Sequence, residues 1–204
     1  MGLVGLAGGL LLSFWYGRYF ADQILHHVPT VIGIAWLFRV RSRGSLTVAS
    51  QWACILFLAL HILGARYIYS NVPYEQWLES AFGFSVREQL GWQRNHYDRL
   101  VHFAFGVLFA FPLNELARRR AGLSPALAAA ASVLGVLALS AVYEIIEWGL
   151  TWFVQPVHAE RYNGQQGDFW DAQKDMALAW LGVTLAEIAR WAIQRIRRAP
   201  PRGR

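Results

Sequence analysis

The residues of this chain that could do chemistry fall in three short groups. The stretch Gln165–Met176, QQGDFWDAQKDM, sets Asp168, Asp171 and Asp175 within eight residues, directly ahead of the apolar run Met176–Ile188. On a helix, residues three and four apart share a face, so the three acids would form one stripe at the mouth of a hydrophobic helix. Asp98 and His102 stand at i and i+4 where another apolar run begins. Ser140, Glu144 and Glu147 recur at helical spacing near the end of a third. Acids in membrane segments are costly and mark functional positions more often than decoration. One imidazole with several carboxylates is a donor set for a divalent cation of the Zn, Mn or Fe kind, or for Mg or Ca with more oxygens. Carboxylate di-metal sites are built this way on facing helices. Here the usual second His is missing, which weighs against redox di-iron chemistry and leaves a hydrolytic or structural metal.

Each group also has an ordinary structural role open to it. Asp168 could be an N-cap with Asp171 as its capping-box partner, favoured by the helix dipole. Capping does not explain Asp175, about two turns in. Asp98 with Arg99 could be an interfacial cap, and Glu144 and Glu147 could pair with Arg66 or Arg99. His102 could be a hydrogen-bonded interhelical histidine. Together these roles require three helices to carry a costly acid at one depth by coincidence. Five carboxylates sharing a low-dielectric pocket must be balanced by a base or by a cation. The candidate bases are Arg66, Arg94, Arg99 and Lys174.

The elements that must position these residues follow from composition. The chain has 204 residues, 55% hydrophobic and only 16% charged, with 10 Trp; its mean hydropathy is +0.28. Soluble domains carry about a quarter charged residues. Long apolar runs therefore point to an all-α, polytopic membrane helical bundle in one membrane domain, 1–204. Six spans are expected, at about 3–16, 24–40, 46–66, 100–117, 125–149 and 171–193. Segment 71–99 alternates aromatics with charges and is expected to lie along the outer interface. Twelve of the 19 basic residues cluster at Arg39/Arg41/Arg43, at Arg118/Arg119/Arg120 and in the tail from Arg190 to Arg204. Each cluster follows an apolar run, which is the positive-inside pattern. Both termini are then cytoplasmic, and all acids except Glu115 and Glu187 lie outside or at outer helix ends. That topology alone brings the three groups to one membrane depth.

The net charge of +6 and pI of about 9.9 do not indicate nucleic acid, because no soluble basic face with interleaved aromatics exists. The expected partner is a lipid bilayer. Segment 17–27, with Arg18, Asp22, His26 and His27, reads as a solvated connector; His96 and His158 read as solvated loop residues. Tyr143 and Trp148 read as interfacial aromatics. Lone Cys54 excludes a disulfide within the chain and reads as a small buried hydrophobe.

At these residues the chain resembles the YjdF-like family of bacterial inner-membrane proteins, a domain of unknown function. The resemblance rests on Arg94-Asn95-His96-Tyr97-Asp98-Arg99 with His102-Phe103, on Ser140-Ala141 with Tyr143-Glu144 and Glu147-Trp148, and on Gln166-Gly167-Asp168 with Trp170-Asp171, Gln173 and Asp175-Met176. It runs from about Pro29 to the sixth span, and its pieces are specific in combination. Members resemble one another in a Gly-Gly-His-Tyr-Thr-Tyr element after span three, where this chain has Gly64-Ala65-Arg66-Tyr67-Ile68-Tyr69. Arg66 in place of the His removes a ligand role there and offers a counter-ion to the acids. A weaker similarity is to VanZ-like membrane proteins, which also pair an Asp-x-x-x-His helix with later acidic helices. Neither resemblance brings an established reaction.

The resulting expectation is an outward-facing pocket of Asp98, His102, Glu144, Glu147, Asp168, Asp171 and Asp175. Within it His102, Glu144, Glu147, Asp171 and Asp175 would hold a divalent metal ion. Acting on an envelope lipid or related substrate, the cation would activate a water and a carboxylate would serve as general base. The alternatives are a cation- or proton-coupled carrier and a non-catalytic scaffold.

Overall fold

The computed structural model describes residues 2–15 and 19–198. Tyr16 of the first expected span, Gly17 and Arg18 of the connector, and Arg202 and Arg204 of the tail lie outside the described residues. The described residues form nine helices and no strand: α1 (Gly2–Ser13), α2 (Phe20–Ser42), α3 (Val48–Arg66), α4 (Tyr74–Phe82), α5 (Val86–Leu90), α6 (Tyr97–Arg120), α7 (Pro125–Leu150), α8 (Pro156–Asn163) and α9 (Asp171–Arg198). Their limits follow local rules. Ser124 caps α7 by accepting from the Leu127 N–H, with Pro125 in the first turn, where its missing N–H costs nothing. Thr47 caps α3 in the same way, and α4, α5 and α8 each end on a left-handed glycine.

Four helices, α3, α6, α7 and α9, are long and apolar enough to cross a membrane. The first two elements differ from the expected spans. α1 has 12 residues, about 18 Å at 1.5 Å per residue, against about 30 Å of hydrocarbon. α2 has 23 residues, enough to cross, but it begins well before the expected apolar segment.

The expected solvated connector around His26 and His27 is corrected by α2. Asp22, Gln23, His26, His27 and Thr30 are helical and buried, while Phe20, Ile24, Val28, Val31 and Ile32 are exposed. The polar positions recur as one stripe at i, i+1, i+4 and i+5, so the helix is polar toward the bundle and apolar outward. Averaging hydropathy along the chain hides this, because it ignores faces. His27 meets Ser13 Oγ at 2.8 Å and Thr30 Oγ1 at 3.2 Å. His158, on α8 rather than in a solvated loop, meets Asp22 Oδ1 at 2.5 Å, with Arg161 on the other oxygen at 3.3 Å. Cys54 is buried among Leu6, Leu37, Leu58 and Ile62.

Candidate functional site

Register brings the three acidic groups together. Asn114 on α6 meets Glu187 on α9, 73 residues away in sequence. The same separation relates Gly106 to Ala179 and His102 to Asp175, which also face each other. α6 and α9 therefore run parallel and in fixed register. Two glycines permit their close approach: a Cβ on Gly106 would land on the Ala179 carbonyl, and one on Gly182 on the Phe103 carbonyl. α7 runs antiparallel to both, with Ser132 at Glu187 and Glu144 at His102.

At the end of this three-helix unit where α6 and α9 begin, donor atoms of Asp98, His102 and Asp175 lie within 4.8 Å of one another. His102 Nε2 is 3.7 Å from Asp98 Oδ1 and 3.6 Å from Glu144 Oε1, too long for hydrogen bonds. The Glu144 and Glu147 carboxyl groups reach each other. Asp175 Oδ1, Glu144 Oε1 and Ser140 Oγ are buried with no hydrogen-bond partner among the described residues. Buried polar atoms are almost always partnered, so two orphaned carboxylate oxygens beside one imidazole, with Ser140 one turn from Glu144 along α7, call for an explanation. One imidazole nitrogen and three carboxylates converging without bonds to one another fit the donor set of a divalent cation.

A second layer lies one turn further out. Arg94 and Arg99 each bridge Asp168 and Asp171, and Lys174 Nζ holds Asp168 at 2.6 Å. The bonds to Lys174, together with the Trp170 N–H and Arg99, hold the Asp168 carboxyl well below the usual carboxylate range. The alternative role of Asp168 as N-cap with a capping box is not what forms; its side chain accepts from Trp170 N–H at 3.1 Å, just before α9 starts at Asp171. The loop is fixed by Gln166, whose amide bonds the Asn95 backbone in both directions, at 2.9 and 3.1 Å. That reciprocal pair holds Gln166 at a positive φ of 49°. His96 packs against Trp92 in a tilted pair with ring centres 4.2 Å apart, and burial followed by the nearby arginines pushes its pKa down.

The expected stripe is thus divided. Asp175 faces Asp98 and His102, with Glu144 and Glu147 alongside, whereas Asp168 and Asp171 belong to the arginine layer. Arg66 is not a counter-ion to the acids: its Nη1 donates to the carbonyls of Leu12, Ser13 and Trp15. Tyr143 turns inward, hydrogen-bonded to Tyr162, while Trp148 is exposed as expected. Sequence reasoning missed Tyr69, which bonds His61 Nδ1. His61 Nε2 faces the His26 carbonyl at 3.0 Å, so it donates there and Nδ1 accepts from the tyrosine. The signal available was His61 within an apolar helix.

Comparison with known proteins agrees with this architecture. The family described as “Predicted membrane protein (DUF2238)” matches residues 2–196. The chain belongs to this family. It is 33% identical over 178 residues to the inner membrane protein YjdF of Escherichia coli strain K12, covering 86% of this chain and 81% of the relative. No solved structure matches. With its several long apolar helices, the chain is a multi-pass protein of the bacterial inner membrane.

Proposed function

We propose that Asp98, His102, Glu144 and Asp175, with Glu147 beside them, form a divalent-cation site at the outer face of the membrane, and that it acts on an envelope lipid or related substrate. The observation that carries this reading is the pair of buried, unpartnered Asp175 and Glu144 oxygens beside His102. A bound cation would supply Lewis-acid chemistry there. The chain's own residues would do the rest: Glu147, reached through Glu144, is placed to take a proton, and the Arg94–Arg99 layer orients Asp171 over the entrance.

The topology behind this reading has six membrane-embedded helices, α1 and α2 included, and cytoplasmic termini. Its support is the gathering of arginines at the opposite end: Arg120 bonds Ser45 just after the Arg39–Arg43 cluster, and parallel α9 ends in arginines beside them. The lipid substrate is supported by exposed Trp148, Trp152, Phe153, Phe169 and Trp170 around the acidic end, as expected at headgroup depth. A coupled carrier would need a polar path inward. Below the site the three helices pack through Ala110, Val136, Ala179 and Val183, all fully buried, which weighs against that reading.

The test is the metal content of detergent-purified protein after exhaustive dialysis, measured by elemental mass spectrometry. Near-stoichiometric metal is expected in the wild type, with at least about a hundredfold weaker binding in folded Asp175→Asn and His102→Ala variants. Equal metal in wild type and variants rejects the reading.

A further inference from the structure

A groove of about 530 Å3 runs between α1 and α3, away from the acidic cluster. Gly9 and Leu12 on α1 and Ala59, Ile62 and Leu63 on α3 line it, all apolar. The two helices run parallel: Gly2 packs against Ile55 and Trp52, while the Ser13 carbonyl accepts from Arg66 at 2.9 Å. α1 therefore covers only the Ile55–Arg66 part of α3. Its glycines leave the groove open, since a Cβ at Gly5, Gly8 or Gly9 would meet nothing within 4 Å.

Arg66 stands at the end of this groove. Its side-chain hydrogen bonds to described residues all leave through Nη1, to three carbonyls at the end of α1, at 3.0, 2.9 and 3.1 Å. This satisfies acceptors that a short helix would otherwise present to hydrocarbon. Nε and Nη2 remain without an acceptor among the described residues. No carboxylate pairs with Arg66 there, and the adjoining Tyr16, Gly17 and Arg18 bring no acid by type. The guanidinium also lies over the Tyr67 ring, 5.6 Å from its centre, and an apolar slot ending in a guanidinium with no carboxylate there matches a molecule with a hydrocarbon tail and an anionic, hydrogen-bond-accepting head. Guanidinium forks bind phosphate in this way.

We propose that the groove binds one anionic phospholipid of the surrounding bilayer, an acyl chain lying between α1 and α3 and the headgroup phosphate meeting Arg66. The lipid then completes a helix pair whose first member is too short to fill the hydrocarbon layer. The site is separate from the acidic cluster, and its occupancy does not depend on a metal.

The experiment is native mass spectrometry of the full chain in detergent, titrated with phosphatidylglycerol or with phosphatidylcholine. One phosphatidylglycerol is expected to be retained about tenfold more tightly than phosphatidylcholine, the scale of one charge-assisted pair. Gly9→Leu fills the slot while leaving Arg66 in place and is expected to abolish the retained lipid. Arg66→Gln keeps a donor for the α1 carbonyls and is expected to lose the headgroup preference, which Arg66→Lys restores in part. Ala59→Leu fills the slot from the other wall and serves if Gly9→Leu lowers helicity by circular dichroism. Equal retention of the two lipids by the wild type, or a retained lipid in both slot-filling variants, overturns the proposal.

Discussion

Asp175 and Glu187 lie three turns apart on α9, both buried, in opposite surroundings. Glu187 accepts from Asn114 Nδ2 at 3.2 Å on each oxygen and from Ser132 Oγ at 2.8 Å, and its Oε2 is 3.4 Å from Arg190 Nε. Glu115, at the same end of the bundle, is equally well served by Thr47, Ser50 and Arg119. Asp175 faces other acids and a histidine, with one oxygen bonded to nothing. The same residue chemistry on one helix serves two purposes. Where both oxygens are hydrogen-bonded, the acid ties α6, α7 and α9 together. Where they are not, the protein keeps an arrangement that costs stability unless something else occupies it. Polar satisfaction, not burial, separates the two ends.

The largest expected effect comes from removing the satisfied acid. Glu187→Leu strips Asn114 and Ser132 of their common acceptor and Arg190 of its ion-pair partner, and should lower stability by about 2–3 kcal/mol in unfolding titrations, without changing metal bound per folded molecule. Asp175→Asn, measured with chelator present, should change stability by less than about 1 kcal/mol, because its orphaned oxygen has no partner to lose, and Glu144→Gln should do the same because an amide can still bond the Glu147 carboxyl. A large loss in both outer variants would break the comparison and favour a scaffold of structural acids.

Gly106→Ala sharpens it from the other side. The glycine holds the register that both acid clusters share, and an added Cβ meets the Ala179 carbonyl and the Val183 N–H, backbone that cannot yield locally. A loss of about 1–3 kcal/mol is expected, together with weakened metal binding, since His102 lies one turn away. Stability lost with metal binding unchanged would show that the two ends are positioned independently.

How much of this was legible in the sequence differs by element. The limits of α7 were readable from Ser124–Pro125, and the common depth of Asp98, His102, Glu144 and Asp175 followed from where apolar runs begin and end. The depth argument could not say that Asp171 would turn to Arg94 while Asp175 turned to His102. One helical turn separates them, and their partners come from a different segment. The α2 stripe was hidden because polar residues on the inward face of a helix lower average hydropathy just as a loop does. Arg66 was misplaced because distance along the chain says nothing of which neighbouring helix a long side chain reaches; its targets were carbonyls, which leave no mark in a sequence.

The smallest expected effect concerns the arginine layer above the site. Asp168 is held below the usual carboxylate range first by Lys174, then by the Trp170 N–H and Arg99. A group whose folded pKa is depressed contributes stability that is present above its unfolded value, about 3.9, and is lost as the pH falls through the folded one. Thermal midpoints of wild type and Asp168→Asn should therefore differ by a small, constant amount from pH 7 down to about 4, and converge only below that. The gap should also narrow in high salt, because Lys174 is about half exposed, with side-chain accessibility of 48%. Convergence well above pH 4 would mean that Asp168 is not held by these cations, and that the entrance layer resembles the unpartnered acids beneath it more than the satisfied ones at the far end.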